Sequence, residues 1–284
     1  MHKESTFSTL SRIRHHYRNL PPGELKIANL LLDFPGEIAS YSATELAELA
    51  GVSKAAITRF FKRLGYESFE QARRATRKEQ AWGSPLYLLT QDQTGKNHQS
   101  NLHREMEVEL RNLAKTYEKL DVHYLELIAR KMMSADRIWL FGIRHSKFLA
   151  DYARFQLLQI RADVFSLTSE NATLAEQLVD LKQTDIVFAI GFRRRTRRFL
   201  QAMKEMQEKG VRILYLTEPD VGTSINYATW VLSAEVSGTG AFDSYPAACS
   251  IIHLLSSSMM SQCGEKIGER LKQIENEHAN LEDF

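Results

Sequence analysis

From residue 136 onward, short apolar runs alternate with longer helical stretches, and this rhythm restricts the chain to very few folds. The runs are 137–142 (Arg-Ile-Trp-Leu-Phe-Gly), 162–167, 185–191, 211–217 and 230–232. Apolar residues at helical spacing occupy 146–160, 171–181 and 196–209. Strands that are apolar at nearly every position have no face to offer water, and strands joined by helical crossovers pair in parallel. The expected product is a parallel α/β sheet covered on both faces. Such sheets bind ligands beyond the carboxyl ends of their strands, beside helix N-termini. Two strand-to-helix loops are therefore of most interest, Gly142-Ile-Arg-His-Ser146 and Gly191-Phe-Arg-Arg-Arg-Thr196.

The N-terminal part has a different grammar. Residues 44–64 read as two short helices joined at Gly51, with Leu46, Ala50, Val52, Ile57 and Phe60 where two steeply crossing helices bury apolar side chains. Ala47 sits at their closest approach. Gly51 can end the first helix in the left-handed conformation, and Ser53 can cap the second. This is a helix-turn-helix, and its second helix carries a cationic face. Ser53, Lys54, Ala55, Ala56 and Thr58 lie near the helix start, where Lys54, Ala55, Ala56 and Thr58 can meet base edges in a major groove; Arg59, Lys62 and Arg63 are placed for phosphates. Residues 1–80 hold 13 Lys/Arg against 9 Asp/Glu, the sign that double-stranded DNA requires of a partner. The further cations Arg73, Arg74, Arg77 and Lys78 belong either to that surface or to a solvated helix face.

Helical spacing in 13–20 and 25–31 supplies a platform under the pair, and Ser68 can cap a further helix to about Gln80. Residues 83–101 contain almost nothing that can be buried and read as a linker. Leu102, Met106, Leu110, Leu113, Tyr117 and Leu120 then resume a helical stripe. The chain of 284 residues is 43% hydrophobic, enough for two cores. It has no apolar run of about 18 residues and no apolar signal region after Met1, so the cytoplasm is the expected compartment and no membrane partner is expected. Cys249 and Cys263 form neither a disulfide framework nor a metal spacing, the nine histidines show no ligand spacing, and no metal or cofactor is expected.

With these features in view, the chain resembles bacterial regulators of the ribose-phosphate-isomerase-repressor (RpiR) type. The resemblance rests on Leu46-Ala47, Gly51-Val52-Ser53, Arg59-Phe60 and Leu64-Gly65-Tyr66, and extends to Leu120-Asp121 ahead of the second domain. It implies a multi-domain chain: an all-α helix-turn-helix domain over residues 1–80, a linker over 81–101, and over 102–284 an α/β sugar isomerase (SIS) domain with a mostly parallel, flavodoxin-like three-layer sheet. It also implies a transcription regulator whose SIS domain senses a phosphosugar.

Two loops depart from the family's pattern. In the first, usually similar to Gly-x-Gly-x-Ser, Arg144 replaces the second glycine and Ser146 remains; in the second, usually similar to Ser-x-Ser-Gly-x-Thr, Gly191, Arg193 and Arg194 stand at the first defining positions and Thr196 remains. Most phosphate-binding hydroxyls are thus gone. Arg144, Arg193, Arg194 and Arg195 crowd the same loops, with Arg197 and Arg198 one turn further. Guanidinium groups grip carboxylates and phosphates bidentately, and such a cluster repels itself unless an anion lies among it. The expected effector-binding residues are Gly142, Arg144, Ser146, Gly191, Arg193, Arg194 and Thr196, with Ser244 from a loop that resembles the family's cover over the sugar. The effector is either a phosphosugar or a sugar acid or other carboxylate. Some of the arginines can instead face solvent or the acids of a partner subunit in a homodimer or homotetramer, or form a patch for nucleic acid. A sugar-phosphate isomerase with an appended helical domain is the rival reading, with Glu218 and Glu235 as candidate bases. His145 reads as a bystander, and the stripe Ile267, Leu271, Ile274, His278, Leu281 as a helix packed on its own domain or on a second subunit.

Overall fold

The computed structural model describes residues 9–33, 38, 41–80, 98–167, 174–193, 195–219, 223–239, 242–264 and 266–282. The chain divides into two compact units that change over near Val108, each with its own apolar core.

In the first unit α1 (Thr9–His16), α2 (Pro22–Asp33), α3 (Ala43–Ala50), α4 (Lys54–Arg63) and α5 (Phe69–Gln80) follow one another. Ser42 opens α3 through a capping box: its hydroxyl accepts from the Glu45 amide and its own amide donates to the Glu45 carboxylate. Gly51 closes α3 at φ +61°, and the Val52 amide reaches back to the Ala47 carbonyl at 2.9 Å. Those are the bonds of a Schellman turn, which a residue with a Cβ enters only with strain. The Ser53 hydroxyl then accepts from the Ala56 amide and starts α4, and Ser68 does the same for α5 through Gln71. Ile57, Phe60 and Phe61 of α4 are fully buried with Leu46, Ile27, Leu31 and Ile13.

α6 (His98–Glu118) runs across the division between the units, α7 (Val122–Met133) precedes the sheet of the second unit, and Asp121 caps α7. α6 begins at His98, inside the stretch read as linker, because a nucleated helix propagates through polar residues at little cost. Residues 81–97 of that linker lie outside the described residues. The apolar stripe of α6 also behaves differently from expectation. Leu102, Met106 and Leu110 are exposed, whereas Val108, Asn112 and Thr116 are buried.

The sheet comprises β1 (Ile138–Gly142), β2 (Val164–Ser166), β3 (Ile186–Ile190), β4 (Arg212–Thr217) and β5 (Trp230–Ser233), all parallel, in the order β2-β1-β3-β4-β5. These bounds fall within a residue or two of the apolar runs. Every residue of β1 and β3 is buried. Ile138, Leu140, Ile186 and Phe188 face α7, α8 (His145–Ile160) and α11 (Pro246–Ser261). On the opposite face Phe141 stacks on Phe199 of α10 (Arg197–Glu208) at 4.9 Å, and Phe199 lies 5.9 Å from Tyr215. The short α9 (Leu174–Val179) joins β2 to β3, and α12 (Lys266–Asn280) closes the chain. In α12, Ile267 packs on the core and Arg270 donates to the Leu158 carbonyl, while Leu281 just beyond it is exposed. Cys249 and Cys263 are free and half-buried, and burial pushes both thiols up.

At the amino end of the sheet, fully buried Asp185 accepts two bonds from Arg137 (3.0 and 2.7 Å), one from the Trp139 indole (3.2 Å) and one from the Lys182 amide (2.9 Å). Replacing Asp185 with alanine strands these donors, and Asp185→Ala should cost about 3 kcal/mol. A lower thermal midpoint, followed by circular dichroism, is the expected result.

Candidate functional site

Two places on the chain gather the residues singled out from the sequence. The first is α4. Ser53, Lys54, Ala55, Thr58, Arg59 and Lys62 are exposed along one side, and the Thr58 hydroxyl donates to the Lys54 carbonyl. Ala56 is not among them. It is buried at 8% exposure, one turn before Phe60, so it belongs to the packed face and cannot meet a base edge. Arg63 is half-exposed, and its Nε donates to the buried carboxylate of Glu24 at 2.8 Å, which fastens α4 to α2. Its charge is therefore partly used within the domain. Nearby, Arg12 donates to the Leu64 carbonyl and lies 4.7 Å over the Tyr66 ring, holding the end of α4 from the other side.

The second place is the crevice where the sheet order reverses. β1 and β3 are neighbours with Gly142 opposite Ile190, so the loops that follow them lie side by side at the carboxyl ends. Each loop opens on a glycine that nothing else can replace without movement. A Cβ on Gly142 would meet the Ser146 carbonyl oxygen at 2.3 Å, and one on Gly191 would meet the Phe199 ring at 2.7 Å. Ser146 is buried in the first turn of α8. Thr196 caps α10, its hydroxyl accepting from the Phe199 amide at 3.2 Å. Arg144, exposed, stands at φ +59°, ψ −126°, and Arg193, half-buried, at φ +36°. Both are conformations in which a side chain is strained. Arg194 lies outside the described residues.

One arginine of the second loop, Arg195, finds its anion within the chain. Arg195 is buried, and its Nε donates to the Tyr215 hydroxyl (2.7 Å) while Nη2 reaches Thr217 Oγ1 (3.2 Å) and Glu218 Oε1 (2.6 Å). Both carboxylate oxygens of Glu218 also accept the Arg193 backbone N–H (3.1 and 3.0 Å), and the Thr217 hydroxyl donates to Oε2 (3.2 Å). Tyr215 completes the circuit by donating to the Gly191 carbonyl at 3.1 Å. Burial pushes the Tyr215 phenol up, so it remains a neutral donor.

Around the crevice, Tyr245 at the start of α11 stands 5.9 Å from Phe148 and 5.8 Å from Phe192. Its neighbour Ser244 donates to the carboxylate of Glu109 on α6. The Ser244 hydroxyl is thus turned to a helix of its own unit. Glu235 pairs with Lys119 at 2.9 Å. His145 is exposed at the first turn of α8. Among the described residues no group of His, Cys, Asp and Glu is placed to hold a metal, and no helix is long and apolar enough to cross a membrane.

Comparison with known proteins bears directly on this pairing of domains. Residues 7–82 match the helix-turn-helix domain of the rpiR family, and residues 131–258 match the SIS domain. The chain belongs to the RpiR-type regulators. It is 24% identical over 232 residues to an uncharacterised HTH-type transcriptional regulator of Thermotoga maritima, covering 81% of this chain and 82% of that one. It is 28% identical over 213 residues to the regulator YfhH of Escherichia coli, covering 73% and 74%. In fold it is similar to the sugar isomerase domain of an RpiR transcription factor from Sphaerobacter thermophilus (22% identity, TM-score 0.58, 61% of this chain and 97% of that one). It is also similar to NanR of Vibrio vulnificus, solved in complex with ManNAc-6P (18% identity, TM-score 0.60, 96% and 98%). The protein is a transcriptional regulator built from a helix-turn-helix and an SIS domain.

For this RpiR-type chain the sequence reading missed what Glu218 does. The sequence offers it only as a base in the isomerase reading, yet it is the counter-ion of Arg195 in the second loop. A carboxylate directly after an apolar run, one strand beyond an arginine-rich loop, was the available signal. Arg144 keeps a backbone suited to the glycine it replaces. Arg144→Gly should therefore stabilise the SIS unit by about 1 kcal/mol, the relief of strain exceeding the extra freedom of glycine in the unfolded chain. Gly142→Ala should lower the thermal midpoint, and equal midpoints for the two variants would contradict this account.

Proposed function

We propose that the protein binds operator DNA through α4 and that an anionic metabolite, held in the crevice between the Gly142 and Gly191 loops, alters that binding. The carrying observation is the exposed cationic side of α4, where Lys54, Arg59 and Lys62 stand clear of a core formed by Ile57, Phe60 and Phe61. Lys54, Ala55 and Thr58 are positioned for base edges beside the Ser53 cap, and Arg59 and Lys62 for phosphates, with Arg63 adding a partial charge. Residues 1–80 act as the DNA-binding domain, 81–101 as the connection and 102–284 as the sensor.

In the crevice Arg144 and Arg193 supply charge, with Arg194 assigned to the same site from the sequence alone, Gly142 and Gly191 allow close approach, and Ser146 and Thr196 offer hydroxyls at two helix N-termini. NanR binds ManNAc-6P on a similar fold, which supports a phosphosugar as the effector; a sugar acid remains the alternative that the arginines also suit. Both candidate bases of an isomerase are engaged, Glu218 with Arg195 and Glu235 with Lys119. That favours sensing over turnover. The regulator acts in the cytoplasm as a homodimer or homotetramer, whose two reading helices must stand about 34 Å apart to engage successive major grooves. Effector binding shifts the population between arrangements that meet and miss that spacing.

Mobility shifts on DNA flanking the gene, with and without sugar phosphates and sugar acids, test the proposal. Lys54→Ala with Arg59→Ala should abolish specific binding and lower the salt slope by about one unit per lost phosphate contact. Sequence-selective binding that survives in the double variant would overturn the assignment of α4. Arg193→Ala should weaken the metabolite's effect on the shift, and an unchanged response would remove the crevice.

A further inference from the structure

We propose that Glu218 is a built-in ligand of the crevice: its carboxylate holds the anion position of the second loop, and an effector's acidic group binds by exchanging with it. The inference rests on the crevice being the effector site. Three kinds of donor converge on this one carboxylate, the Arg193 backbone N–H, the Arg195 guanidinium and the Thr217 hydroxyl. That is the donor set of an oxyanion site, placed after β3 where the sheet order reverses and just ahead of α10.

The two partners are held unequally. The Arg195 side chain is 1% exposed and is fixed independently by the Tyr215 hydroxyl, which in turn is tied to the Gly191 carbonyl. Glu218 is the more exposed member at 14%, and among the described residues its donors are ones that any oxyanion can use. When the carboxylate swings out, the guanidinium, the amide and the hydroxyl stay in place for its replacement. The exchange also discriminates between ligands. A monocarboxylate replaces like with like and must still lose its free motion, whereas a phosphate carrying nearly two charges gains an additional interaction with Arg144 and Arg193. The departing Glu218 side chain is then the sensor's moving part, and its position registers occupancy.

Full-length wild-type protein and Glu218→Gln are titrated calorimetrically with inorganic phosphate. Removing the competing charge should tighten phosphate binding at least about tenfold. Equal or weaker binding by a Glu218→Gln protein with unchanged circular dichroism would overturn the exchange. If the glutamine variant does not fold, Glu218→Ala is melted with increasing phosphate or acetate. A rise in midpoint larger than that of the wild type supports the proposal, and an equal rise refutes it. Operator binding is followed in parallel. A variant that gains phosphate affinity while its DNA binding ignores phosphate leaves the exchange standing and removes the effector reading instead.

Discussion

Two-sided burial of the central strands is the constraint from which the rest of the sensor domain follows. β1 and β3 expose no residue to water, so each must be left through a turn that delivers the chain to a covering helix. Because β1 feeds β2 on one side and β3 feeds β4 on the other, the two turns open next to each other and their helices depart in different directions. A crevice lined with amide groups is the geometric result. Its chemistry then depends on what the turns carry, which in this chain is arginine in place of small hydroxyl residues.

The helical domain obeys a different constraint. Its reading helix is positioned by fastenings at both ends: the Ser53 cap at the start, and Arg12 and Glu24 at the finish. The two that cross to other helices, Arg63 to Glu24 and Arg12 to Leu64, contribute little individually, yet they hold α4 against rolling, and a helix that rolls by one residue presents Ala56 or Ile57 to the groove in place of Lys54 and Thr58. The buried aromatic group Phe60, Phe61, Tyr66 and Phe69 provides the stiffness.

What was legible in the sequence was whatever repeats. Runs of consecutive apolar residues located each strand, a 3.6-residue period located most of the helices, and glycine and serine marked the turn between α3 and α4. Side chains that meet across long separations left no such trace. Arg195 and Glu218 are 23 residues apart, the length of one helix and one strand, and only the parallel register brings them together. Ala56 was misplaced because a small residue fits either face of a helix. The leucine stripe of α6 was visible as a pattern, but a pattern records only that one side is apolar and not which side the core takes, and here Asn112 and Thr116 are on the buried side.

The reversal of strand order has a mechanical consequence. α8 lies over the layer of Ile138 and Leu140, whereas α10 lies over the layer of Phe141 and Tyr215. A small molecule gripped by both turns would therefore be pinned simultaneously to the two outer flanks of the domain. A displacement of a few tenths of an ångström at that pin is transmitted to both sides, so either flank could serve as the surface through which occupancy is reported.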